Sequence, residues 1–186
     1  MKRVIPFLMV AGLSLNAHAS SYAGIDYSMI NVGKAQSQMV TLTLGNTFTD
    51  TLSSEVRLGF GVAGDTLDKL ASYEDIVGSA NVNNASGNVV SDTFMVESQI
   101  GAYLRYTYRL TTKQGLSAVG GISRFKVSMS EDMVTSYNDI NIGPSFGGGY
   151  YYTLENGATL TLEAMKHRNF YNAEMFTFNI GFKSAF

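Results

Sequence analysis

The end of the chain is the feature that most restricts its fold. From residue 176 onward one parity reads Phe176, Phe178, Ile180, Phe182, Ser184, Phe186, and the other reads Thr177, Asn179, Gly181, Lys183, Ala185. A strand sends successive side chains to opposite faces, whereas a helix would mix the two sets around its circumference. The segment is therefore a strand with one apolar face. The rhythm recurs with Ala23, Ile25, Tyr27 and Met29, with Val40, Leu42 and Leu44, and with Val56, Leu58, Phe60 and Val62. It recurs again with Leu160, Leu162 and Ala164, and with Phe94, Val96, Ile100, Ala102, Leu104, Tyr106, Tyr108 and Leu110, where only Ser98 breaks the run. These are six clear strands. Two weaker ones follow: 116–127, whose parity blurs at Arg124-Phe125-Lys126 in the manner of a bulge, and 140–152, which contains Pro144. The proline is expected near the outer end of its strand, where the ladder opens. The sum is eight strands, with ten as the alternative if the segment 64–92 hides a further hairpin.

The connections alternate in length. Segments 49–53, 111–115 and 153–157 read as tight turns, while 32–37, 64–92, 128–139 and 166–174 read as longer loops. Short turns on one side and long loops on the other are the plan of an outer-membrane barrel, with the short turns in the periplasm.

Composition agrees with strands and narrows the functional classes. Among 186 residues there are 11 Tyr, 11 Phe and 19 Gly but only 2 Pro, and charged residues reach only 15%. No apolar run outside the N-terminus approaches the roughly 20 residues of a spanning helix, so a helical membrane bundle is excluded. A net charge of -2 excludes a strongly basic nucleic-acid binder. Zero cysteines remove disulfides, thiolate nucleophiles, cysteine-ligated zinc and a lipoprotein anchor. The N-terminus reads as an address: Met1-Lys2-Arg3, an apolar stretch from Val4 to Leu15, then Ala17-His18-Ala19 before Ser20. Residues 1–19 are expected to be a cleaved signal peptide and residues 20–186 the barrel domain. His167 is then the single histidine of the exported chain, which holds no histidine-based metal cluster. No cofactor is expected.

Alternation alone fits both an outer-membrane barrel and a lipocalin-like soluble one, whose apolar face points inward. Three features favour the membrane. The polar parity mixes glycine with charges of both signs, namely Glu55, Arg57, Glu97, Arg105, Arg109, Glu163 and Lys183. Such a set suits a narrow lumen in which side chains pair and fill the space. Aromatics (Tyr106, Tyr108, Tyr150, Tyr152, Phe176, Phe182, Phe186) gather near strand ends, as interfacial girdles do. The sequence also stops on Phe186 within its last strand. The expected fold is all-β: an eight-stranded antiparallel up-and-down transmembrane β-barrel.

The layout resembles the small outer-membrane barrels of the OmpX/Ail type, within the porin-like OMP beta-barrel family. The sharpest local matches are Phe146-Gly147-Gly148-Gly149-Tyr150-Tyr151-Tyr152 before a turn, the segment 120–127, and the terminal strand ending in Phe186. The resemblance implies a location in the outer membrane of a Gram-negative cell. It also implies that Phe178, Ile180, Phe182 and Phe186 form the signal read by the outer-membrane assembly machinery. Ser184 departs from the aromatic often found third from the end.

The charged lumen is read as structural, because eight strands leave a bore about wide enough for side chains to fill. His167 invites comparison with lipid A-modifying barrels, but the deacylase type it would resemble has a serine two residues later, where this chain has Asn169. It is therefore expected as an exposed loop residue, with Lys166 and Arg168 beside it to meet lipopolysaccharide phosphates. The acidic loop residues Asp65, Asp68, Glu74, Asp75, Asp92, Glu131, Asp132 and Asp139 suit a solvated surface, cation bridging to lipopolysaccharide, or docking of a basic host or phage protein. Asn84-Ala85-Ser86 matches a glycosylation sequon without consequence in such a barrel. The expected protein is a monomer and not an enzyme. Its outer loops would serve envelope integrity, adhesion or surface interaction, in contact with outer-membrane lipid and lipopolysaccharide. A narrow porin is the alternative; a lipid A-modifying enzyme and a lipocalin-like binder stand further back.

Overall fold

The computed structural model describes residues 20–67, 92–131 and 135–186. The signal segment, most of the long acidic loop with its sequon and any extra hairpin, and the acidic side chains Asp92, Glu131 and Asp132 lie outside what is described. Nine strand segments are present: β1 (Ser21–Val32), β2 (Ala35–Thr47), β3 (Leu52–Ala63), β4 (Asp65–Leu67), β5 (Asp92–Arg109), β6 (Gln114–Glu131), β7 (Thr135–Thr153), β8 (Thr159–Phe170) and β9 (Ala173–Ala185). β3 and the short β4 lie on the same edge of β5, Leu52 to Phe60 facing Tyr106 to Ser98 and Asp65 to Leu67 facing Phe94 to Asp92. They form one stave broken at Gly64, so the staves number eight. Every neighbouring pair is antiparallel, and β1 pairs with β9 along its length, which closes the sheet on itself. Closure leaves no free edge to satisfy within a bilayer.

The lipid-facing belt is the apolar parity read from the sequence. Ile25, Leu44, Phe60, Leu104, Ile122, Phe146, Leu162 and Ile180 all stand exposed on the outside. The lipocalin arrangement, with this parity inward, does not occur. Toward the end that carries the long loops, however, the polarity of the two faces inverts; the parity continues on β1 and shifts by one residue on β8 beyond His167. On β1 the outward row passes from Met29 to Asn31, and the inward row from Ser28 to Ile30 and Val32. On β8 the outward row passes from Ala164 to Lys166, and the inward row ends in Phe170. The barrel therefore continues as a collar with water outside and an apolar core inside. That core gathers Ile30, Val32, Met39, Phe94, Val96, Phe125, Val127, Phe170 and Met175.

The inversion explains where connections differ from expectation. Segments 32–37 and 166–174 do not form longer loops. β1 turns into β2 through Gly33-Lys34 alone, and β8 into β9 through Tyr171-Asn172. Both turns use a positive φ, 59° at Gly33 and 51° at Tyr171, as tight hairpins demand. Alternation of apolar outside and polar inside ends in the sequence before the strand does, because both parities change character at the membrane boundary.

The bulge also sits elsewhere. β6 alternates regularly through Phe125, and the extra residue is Glu97 in its partner β5, where Val96 pairs with Val127 and Ser98 with Lys126. Phe94 and Val96 consequently face inward, not outward with Ile100 as one continuous parity implied. Pro144 is not near the outer end of its strand: it stands in the middle of β7, paired with Ile122 of β6, and is tolerated because the β7–β8 ladder alone opens there, one residue beyond Ser145 opposite His167.

Candidate functional site

Three layers fill the lumen between the periplasmic mouth and the collar. The first is ionic. The Glu55 carboxylate, 1% exposed, accepts from Arg57 Nη2 at 2.5 Å, Arg105 Nε at 2.7 Å, Lys183 Nζ at 2.6 Å and the Tyr22 hydroxyl at 2.8 Å. Glu163 accepts from Arg57 Nη1 and Arg105 Nη2, both at 2.6 Å, and from Asn179 Nδ2 at 3.3 Å. Each arginine thus bridges both carboxylates, and Arg105 adds a bond to Ser117 Oγ at 2.7 Å. Asp26, buried nearby, accepts from Thr43 Oγ1 at 2.9 Å and brings the carboxylates to three against three cations. The Tyr103 ring covers the Arg57 guanidinium at 4.6 Å. Charges this deep persist only when paired or hydrogen-bonded: Glu55, Glu163, Arg57, Arg105 and Lys183 are ion-paired, and Asp26 is held by the Thr43 and Thr161 hydroxyls.

The second layer is neutral. His167 is 3% exposed, not a loop residue. Its Nδ1 lies 2.7 Å from Ser145 Oγ and its Nε2 3.0 Å from Thr177 Oγ1, while Ser123 Oγ lies 2.5 Å from Ser145 Oγ. Phe125 closes the ring from above, edge to face at 4.7 Å. The third layer is the apolar core of the collar.

Five of the seven charges assigned to the lumen meet in the ionic layer: Glu55, Arg57, Arg105, Glu163 and Lys183. Glu97 does not. As the extra residue of the bulge it stands on the outer surface in an ion pair with Lys126. Arg109 has the inward parity but lies at the periplasmic mouth, exposed, on the wall of a vestibule of about 290 Å³. Reasoning from the sequence missed Asp26 and Tyr22, both on the polar parity of β1 and both legible as such. It also sought a serine beside His167 along the chain, whereas barrel register supplies Ser145 from the neighbouring strand. The residues assigned to the assembly signal, Phe178, Ile180 and Phe182, form one lipid-facing row on β9. Phe186 follows the strand, 79% exposed, with its N–H bonded to Ser21 O at 3.0 Å.

On the outer surface of β6–β8, at the boundary between belt and collar, cations gather. Lys166 Nζ bonds Glu174 Oε1 at 2.5 Å and lies 5.1 Å from the Phe176 ring. Arg168, although exposed, is not part of that outer face: its stem packs against the inward side of Gly143, in the gap where β7 and β8 separate, and its Nη1 bonds Ile142 O at 2.8 Å. Arg124, opposite Ile142 on β6, has no carboxylate partner among the described residues. No group of three or more potential metal ligands occurs among those residues.

Comparison with curated protein sequences gives no match. Solved structures share the fold. Ail, the attachment invasion locus protein of Yersinia pestis, superposes with a TM-score of 0.57 at 11% identity, covering 90% of this chain and 97% of its own. Neisserial surface protein A gives 0.58 at 12% identity, with 91% and 98% covered. The N-terminal β-barrel domain of Pseudomonas aeruginosa OprF gives 0.54 at 10% identity, with 87% and 96% covered. Residues 5–186 match the profile of the family described as "Outer membrane protein beta-barrel domain". The chain belongs to that family of small outer-membrane β-barrels, and its place is the outer membrane.

Proposed function

We propose that this protein works by binding at its exported rim, without transport and without chemical turnover, in the service of envelope integrity, adhesion or another surface interaction. The observation that carries the reading is the double closure of the bore. A fully paired ionic layer and a fully packed apolar core lie in series, and an ion would have to cross both. Displacing a buried paired charge costs several kcal/mol on its own, roughly 3–5. A rigid, filled barrel that holds loops above a membrane is a binding scaffold. Turnover has no support from the Ser145–His167 pair either, since both groups are sealed between the ionic layer and Phe125.

The partners follow from the two ends. Lys166 and Arg124 suit the phosphates of lipopolysaccharide, and the acidic loops suit a basic host or phage surface. The row Phe178, Ile180, Phe182 with Phe186 suits recognition by the assembly machinery during insertion. A continuous cylinder that satisfies its own backbone suits a monomer. The deciding experiment is conductance of the purified protein in a planar bilayer. A silent bilayer is expected, and steady discrete openings would replace this reading with the narrow porin. Mass spectrometry of lipid A from cells expressing wild type or His167→Ala tests turnover: identical spectra are expected, and a modified species present only with wild type would establish an enzyme.

A further inference from the structure

The vestibule at the periplasmic mouth, about 290 Å³, is floored by the ionic layer, and it meets that layer on one sign of charge only. It touches Arg105 and Lys183 but none of Glu55, Glu163 and Asp26. Both cations are 8% exposed, and neither spends all its donors within the layer. Arg105 gives Nε and Nη2 to the carboxylates and Nη1 to Ser117, which leaves one of its five protons without an acceptor among the described residues. Lys183 Nζ carries three protons and bonds Glu55 alone. The two are close neighbours, because Arg105 Nε and Lys183 Nζ share the same oxygen, Glu55 Oε1. A third cation, Arg109, stands on the wall, exposed and without a bond or ion pair among the described residues. Against these three, Asp50 in the turn between β2 and β3 is the one carboxylate side chain of the lining among the described residues. A cleft with such an excess focuses its field on an entering anion.

The rest of the wall is hydroxyl. Every stave but β9 sends one inward at this level, from Tyr22 on β1 round to Thr161 on β8, because the polar parity of each strand ends here in Ser, Thr or Tyr. The hydroxyls of Thr47, Thr107 and Tyr151 make no hydrogen bond among the described residues. Hydroxyls both donate to and accept from a polyol, whereas guanidinium and ammonium groups only donate and call for an anion. The volume lies at the foot of the roughly 300–1,000 Å³ range of ligand pockets, enough for one sugar ring.

We propose that the periplasmic vestibule binds a sugar acid, a single ring whose carboxylate takes the spare protons of Arg105 and Lys183. Its hydroxyls meet the ring of Thr and Tyr hydroxyls, and Arg109 closes over it from the wall. Thr107 lies between the two arginines on the same inward row of β5, within reach of the sugar. The site is at the opposite end from the exported rim, so it goes beyond the surface binding proposed above and is tested separately from it.

The test is an NMR titration of the isotope-labelled full barrel in phosphatidylcholine nanodiscs with glucuronate, glucose and acetate, followed at the backbone amides of Thr107 and Ser117. Glucuronate is expected to shift these amides and saturate in the millimolar range. Glucose and acetate each offer half of the chemistry and are expected to bind at least roughly tenfold more weakly. Arg109→Gln removes a charge that bonds nothing else described and is expected to weaken glucuronate binding roughly tenfold; Thr107→Val is expected to weaken it roughly fivefold. Lys113→Gln makes the same charge change at the same end of the barrel, in an exposed pair with Glu155, and is expected to bind as wild type does. Heat-modifiable gel migration reports that every variant is folded. Absence of a saturable shift with glucuronate would overturn the proposal, as would glucose or acetate binding as tightly as glucuronate. So would undiminished binding by both Arg109→Gln and Thr107→Val.

Discussion

Glu55 shows how much one residue can organise inside a barrel. Its two oxygens receive donors from β1, β3, β5 and β9, so four staves converge on a single carboxylate. Glu55→Gln removes the charge and leaves Arg57, Arg105 and Lys183 facing only Glu163 and Asp26. A loss of roughly 3–5 kcal/mol is expected, read as a lower urea midpoint for the detergent-solubilised barrel. Glu97→Gln serves as the contrast, since its ion pair with Lys126 lies on the surface, and an unchanged midpoint is expected there. A second residue-scale expectation concerns the collar. Phe125 is fully buried against His167, and Phe125→Ala should cost roughly 3–5 kcal/mol in the same assay. A change near zero would mean that the collar contributes nothing to the stability of the barrel below it. Residue types were legible at this scale but partnerships were not. Glu55, Arg57, Arg105, Glu163 and Lys183 could be collected by parity, yet parity does not say that Arg109 falls beyond the packed layer. Nor does it say that His167 finds Ser145, because that contact depends on strand register.

At the scale of elements, the instructive case is β5. Its sequence reads as one apolar run broken by Ser98, and a single inserted residue changes which side Phe94 and Val96 occupy. A strand's faces are fixed by counting residues from a paired neighbour, so an insertion resets the count for everything beyond it. Deleting Glu97 is therefore expected to leave Phe94 and Val96 inward, because Val96 then directly precedes the outward Ser98 and their partners on β6 are already consecutive. The barrel and its collar should keep wild-type resistance to protease. Cleavage of the outer end under conditions in which wild type resists would show that the bulge itself shapes the collar. The β1–β2 and β8–β9 hairpins teach the same lesson from another side. Residues such as Asn31, Gln36, Lys166 and Glu174 look like loop in an apolar-outside barrel, but they are strand residues of the collar. Strand identity survives a change of solvent; the polarity code for inside and outside does not.

For the whole molecule, the number of staves, their antiparallel order and the lipid-facing row were all legible, because a bilayer imposes one polarity on every strand it contacts. The collar was not, since nothing in a single strand announces where the membrane stops. The two closures in series make a specific prediction about permeation. Arg57→Ala combined with Arg105→Ala loosens only the ionic layer, so a planar bilayer should stay silent although the barrel is weakened. Openings in that variant would show that the apolar core is no barrier to ions.

The collar core also bears on the order of events during assembly. Its members come from β1, β2, β5, β6, β8 and β9. No early hairpin contains enough of them to bury the rest, and the first and last strands contribute to the same cluster. The cluster can form only once the ends of the chain have met. It is thus a latch that engages at the final step of insertion, and proteolytic protection at the outer end would time the moment at which the cylinder shuts.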